Sequence, residues 1–178
     1  MIDFLKDHVD AVVTVIVTIA GFLVTYFMTK RNFKDEIVKD KITINAEAIK
    51  ELPYEVCQLM DRMMGKGTQK PISPEEYSEM LSRILAYGSK NAVSIAIHLQ
   101  QLAYTLEQNS NPQKHWEMLA TYALLISQVK YDLTSEAISP ENWFKLRLKD
   151  YDDHRNDIVN IINRLVKDLE LCSIFLVK

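Results

Sequence analysis

The feature that most limits what this chain can become is the run Ala11–Met28, AVVTVIVTIAGFLVTYFM, which carries no charge. A helix rises about 1.5 Å per residue, so a run of this length spans roughly 27 Å. The hydrocarbon core of a bilayer is about 30 Å thick. Inside lipid each backbone amide must be paired within its own segment, so even a stretch rich in valine and isoleucine is forced to be helical. Thr14, Thr18 and Thr25 are expected to bond back to carbonyls one turn earlier. A cleaved leader would start with basic residues and end on small ones. This chain starts MIDFLKDHVD, with Lys6 against Asp3, Asp7 and Asp10, and TYFMTK closes the run. A helix buried in a protein core seldom runs so long without a polar face. The expectation is therefore a single transmembrane helix over residues 11–28.

Charge sets the expected direction. Lys30, Arg31 and Lys34 follow the run at once, and only Lys6 precedes it. Basic flanks stay on the cytoplasmic side. Residues 1–10 are expected to form a short extracytoplasmic N-terminus, and everything after the span is expected in the cytosol. The expected location is the cytoplasmic membrane, and the lipid bilayer is the first partner.

Past residue 28 the chain reads as a soluble helical domain. Four glycines and five prolines in 178 residues favour helices over turn-rich β structure. Without Lys6 and the three early aspartates, 20 basic and 21 acidic residues remain. Such a balance offers no broad positive field for nucleic acid. Cys57 and Cys172 are expected as buried, reduced thiols, as in most cytosolic domains.

Residues 29–52 are expected to continue the helix as a stalk. Ile37 and Ile44 stand seven apart, with Phe33, Lys41 and Ala48 around them, which hints at a self-associating seam. Pro53 is expected to end the stalk, leaving residues 53–178 for a compact bundle of about five to six helices. Ser73-Pro74-Glu75-Glu76 has the form of a helix start: a serine cap, a proline in the first turn, and acids at the positive end of the helix dipole. Gly88 is expected to close that helix, which should bury Tyr77, Met80, Leu81, Ile84 and Leu85. Residues 89–108 are apolar on more than one face and are expected to form the central helix. Asn111-Pro112 and Ser139-Pro140-Glu141 repeat the logic of cap then proline. Tyr151–Asp153 is expected to break the chain before a last helix from about Asp153 to Leu171, and the apolar tail SIFLVK is expected to dock on the domain. Local propensity and hydrophobic period agree at three starts, and together they specify an all-α fold.

The segments Leu52-Pro53-Tyr54-Glu55, Tyr87-Gly88-Ser89-Lys90-Asn91-Ala92-Val93, Ile126–Thr134 (ISQVKYDLT) with Ile138-Ser139-Pro140, and Leu148-Lys149-Asp150-Tyr151 carry a resemblance. The chain resembles a loose group of uncharacterised bacterial proteins, some prophage-associated, with one N-terminal span before a small helical domain. The resemblance runs over roughly residues 10 to 165. It implies this architecture and a bacterial setting, with phage exclusion or defence as the natural role, and it brings no assigned activity.

Candidate chemistry is sparse. Arg147 and His154 are separated by six residues, a spacing that fits the arginine–histidine pattern of HEPN-type ribonuclease domains. Such a site needs an arginine to hold phosphate and a histidine to move a proton. Asp150, Asp152 and Asp153 lie in the spacer and would repel a phosphate backbone, and Leu148 stands where that pattern usually has a polar residue. A catalytic pair should converge in an open cleft, whereas a structural pair should turn into ion pairs with nearby acids. Cys57, Met60, Met63 and Met64 include soft ligands suited to Cu(I), but methionine is also an ordinary core filler. His98 and His115 lie on apolar helices without the further ligands that a metal needs. Gly65-Lys66-Gly67-Thr68 lacks the full phosphate-loop pattern. Trp116 and Trp143 are expected to fill the core. No cofactor and no metal are expected. The sequence thus points to a membrane-anchored helical interaction module whose partner is another protein or a second copy joined through the stalk. The alternative is a membrane-bound HEPN-like ribonuclease effector using Arg147 and His154.

Overall fold

The structure, a computed structural model, describes residues 2–64, 73–108 and 112–178; in α1 and α4 the side chains of residues 2–12, 15, 16, 107 and 108 are also set aside. Among the described residues the protein is all-α, with helices and turns and no strand. The Gly65–Thr68 segment and the Asn111 cap lie outside the described residues. The chain divides into two units, Met1–Ile44 and Asn45–Lys178.

The first unit consists of most of helix α1, Ile2–Ile49. Every described side chain from Val13 to Ile44 is exposed, including Lys30, Arg31 and Lys34. Thr18 and Thr25 bond back as expected: Thr18 donates to the Thr14 carbonyl at 2.8 Å and Thr25 to the Gly21 carbonyl at 2.9 Å. Among the described residues no helix is long and apolar enough to cross a membrane. The uncharged run from Ala11 to Met28 is described only in part, since side chains 11, 12, 15 and 16 are set aside.

The second unit begins at Asn45, inside the segment expected to be stalk. Ile49 is buried in it, and the Ala48 carbonyl accepts a hydrogen bond from Arg83 at 2.9 Å. α1 ends before a turn at Lys50–Glu51, and Pro53 stands in the first turn of α2, Leu52–Met63. Proline therefore opens a helix here instead of ending one: in the first turn its missing N–H has no intrahelical partner to lose.

Helix α3, Pro74–Tyr87, starts as read. The Ser73 hydroxyl accepts from the Glu76 N–H at 3.1 Å, and the Glu76 carboxylate accepts from the Ser73 N–H at 3.3 Å, a complete capping box. The helix buries Met80 and Ile84 but leaves Leu85 exposed. Gly88 ends it for a packing reason, with φ at −74°: a Cβ there would stand 2.5 Å from the Ile84 carbonyl oxygen.

The central element is not α4, Lys90–Gln108, but α5, Pro112–Thr134. α4 buries Ala92, Ile95, Ala96, Leu99 and Leu102 on one side and exposes Ile97 and Tyr104 on the other. α5 buries every residue from Ala120 to Val129 and packs against α2, α4, α6 and α7. Both helices are apolar on two sides in sequence, and only packing separates the enclosed one from the flanking one.

Helix α6, Glu141–Arg147, is short, and α7 runs Tyr151–Asp168. Tyr151–Asp153 is thus the first turn of α7, not a break, because Asp152 and Asp153 there complement the helix dipole. α7 ends in a Schellman motif without glycine: Glu170 has φ 51°, and the Leu171 N–H reaches the Val166 carbonyl at 2.9 Å. The tail docks as expected. Phe175 is fully buried and meets Tyr131 edge-on at 6.0 Å, and Leu171 and Val177 are buried with it.

Candidate functional site

The corner where α6 meets α7 gathers both residues of the arginine–histidine pattern, so its chemistry is built up first. Arg147 closes α6, and its guanidinium binds Asp61 of α2 at 2.7 Å. His154 lies in the second turn of α7, where its ring pairs with Asp150 at 3.5 Å and stacks at 5.3 Å on Trp116 of α5. None of these contacts joins the two residues to each other. A phosphate approaching Arg147 would compete with the Asp61 carboxylate. Of the two tryptophans, Trp143 is buried and meets Phe144 edge-on, as expected for core. Trp116 instead is half-buried and lines an open groove of about 490 Å³ with Gln113, Asp157, Asn160, Ile161 and Arg164.

The most enclosed polar group of the corner is one that the sequence reading passed over. Glu141, in the first turn of α6, is only 6% exposed. Its carboxylate accepts from the Tyr151 hydroxyl in a short contact, from Arg155 Nε at 2.9 Å and from Lys145 Nζ at 3.0 Å. Burial pushes its carboxyl up, but the hydrogen bonds from Tyr151, Lys145 and Arg155 outweigh that effect and hold it below the usual range. Burial, then the adjacent Glu141 carboxylate, drive the Tyr151 hydroxyl well above the ordinary tyrosine value. Arg155 also donates to the Lys178 carbonyl at 2.7 Å, so one guanidinium ties the start of α6 to the docked tail. The spacing signal was present: Glu141 and Lys145, like Tyr151 and Arg155, are four apart, one helical turn. What the sequence lacked was the approach of the two helices that brings those pairs together.

This corner acts as a joint. Its cations face carboxylates, and its phenol is spent on Glu141. Of the other candidates, Cys57 lies close enough to this corner to feel Asp61 and Arg147. Met60 is fully buried in the core, whereas Met63 is exposed and Cys57 is half-buried. Burial, then the nearby Asp61, raise the Cys57 thiol. Cys172 is exposed, against the expectation of a buried thiol, because it stands in the extended segment that leads to the tail. His98 pairs with Glu117 at 3.4 Å, and Arg164 shares that carboxylate at 3.1 Å. Among the described residues no group of three or more histidine, cysteine, aspartate or glutamate side chains is placed to hold a metal. Comparison with family models, with curated proteins and with solved structures finds no match to the chain.

Proposed function

We propose that the protein is a membrane-anchored helical interaction module. In this reading residues 11–28 lie in the bilayer, Lys30, Arg31 and Lys34 hold the cytoplasmic edge, and the helical bundle faces the cytosol of a bacterial cell. The observation that carries the proposal is the uncharged run together with its surroundings. The eight consecutive residues from Gly21 to Met28 cover every face of the helix, and all are exposed to solvent. A helix that is apolar all round and left exposed by the described residues calls for an apolar medium. Basic residues on the downstream side then favour an inward bundle.

Anchoring restricts the bundle to the membrane plane and raises its local concentration toward partners in that plane. The resemblance to prophage-associated proteins adds interference with phage entry as the setting to examine. The test is fractionation of the full-length chain in a bacterial host. Carbonate should leave it in the membrane pellet, and protease added to intact spheroplasts should spare the bundle. Release by carbonate, or digestion of residues 45–178 from outside, would overturn the reading.

A further inference from the structure

The stalk carries a face whose partner can be named. Continuing the seven-residue spacing of Ile37 and Ile44 through α1 places Leu23, Lys30, Ile37 and Ile44 at a positions and Ile19, Tyr26, Phe33 and Asp40 at d positions. All eight are exposed, and six are apolar; the next d position, Glu47, is charged and ends the stripe. The sheltered residues at the end of α1, Ala46, Ala48 and Ile49, fall at c, e and f, outside the a and d positions.

Charge at the edges of the stripe selects both occupant and direction. Glu36 falls at g and Lys41 at the following e, five residues on. In a parallel pair of identical helices these are the positions that meet across the seam, once on each side. An antiparallel pair would instead set Lys34 and Lys41, both at e, against each other. A single lysine among the a positions favours one register and one oligomer state, at some cost in stability.

We infer that a second copy of this chain covers the stripe, forming a parallel two-stranded coiled coil in which Glu36 of each copy pairs with Lys41 of the other. The inference rests on the membrane reading for one point: two copies anchored in one bilayer share their direction.

The test uses the full chain in membranes, with Cys57→Ser and Cys172→Ser as background and single cysteines under a mild thiol oxidant. Ile37→Cys and Ile44→Cys should give disulfide-linked dimers several-fold more readily than Val38→Cys and Ile42→Cys, which fall at b and f. Adding Glu36→Lys should lower dimer yield at Ile37→Cys, and adding Lys41→Glu to that variant should restore it. Even crosslinking at all four positions, or no restoration by the paired reversal, overturns the inference. Carbonate extraction of the same samples separates the two readings. A chain that washes off yet crosslinks at 37 and 44 defeats the anchor alone, and one that stays in the pellet but crosslinks evenly defeats the pairing alone.

Discussion

Glu141 shows how much a single buried carboxylate can organise. It faces Tyr151, Arg155 and Lys145 at once, and hydrogen bonds to charged groups contribute about 1.5–3 kcal/mol each when sheltered. Lys145 is half exposed and Arg155 partly so, which weakens their share through solvent screening. Glu141→Gln should therefore cost about 1–3 kcal/mol near neutral pH. The pH dependence follows from the lowered folded-state carboxyl. Its contribution is fully present above the ordinary glutamate range and is lost as pH falls through the folded value. Urea unfolding of both proteins from pH 7 to pH 3 should show the gap between them closing at the acidic end. A gap that stays constant across that range would contradict this account. Nothing in the sequence around Ser139-Pro140-Glu141 distinguishes this acid from an ordinary one in a first turn, because its burial depends on α7.

At the level of elements, the tail is fastened to α7 by two side chains, Asn163 and Arg155. Asn163 accepts from the Val177 N–H at 2.8 Å and donates to the Val177 carbonyl at 2.9 Å, as a neighbouring strand would. Phe175 fills the core beneath. Asn163→Ala removes both bonds and should cost about 1–2 kcal/mol. Amide exchange should speed up over residues 171–178 while the amides of α5 stay protected. Equal protection of the tail in both proteins would show that Phe175 and Arg155 hold it without Asn163. The helix start at Ser73-Pro74 was readable because a cap and a first-turn proline coincide there. A proline after a long helix fits an end or a new start equally well, and Pro53 opens α2 after α1 has already ended at Ile49. The identity of the central helix was not readable, because α4 and α5 have similar periodicity and differ in what packs on their second face.

For the whole molecule, the division at Asn45 carries a consequence. Residues 45–178 hold a contiguous core of their own, from Ile49 to Val177. A fragment of those residues should fold as a soluble monomer with one cooperative thermal transition. It should remain monomeric because the stripe from Ile19 to Ile44 is absent. Calorimetry and light scattering of the fragment check both statements, and a molten or dimeric fragment would refute them.

Helical class, most helix starts and the uncharged run are written locally. They depend on capping chemistry, residue propensity and a period of 3.6, all of which act within a few residues. Tertiary packing alone made α5 the enclosed helix, turned Glu141 inward beneath Tyr151, Arg155 and Lys145, and gave Arg147 and His154 separate partners. Those outcomes depend on which helices approach each other, and a desolvated charge reveals its partners only after residues distant in the chain have closed around it.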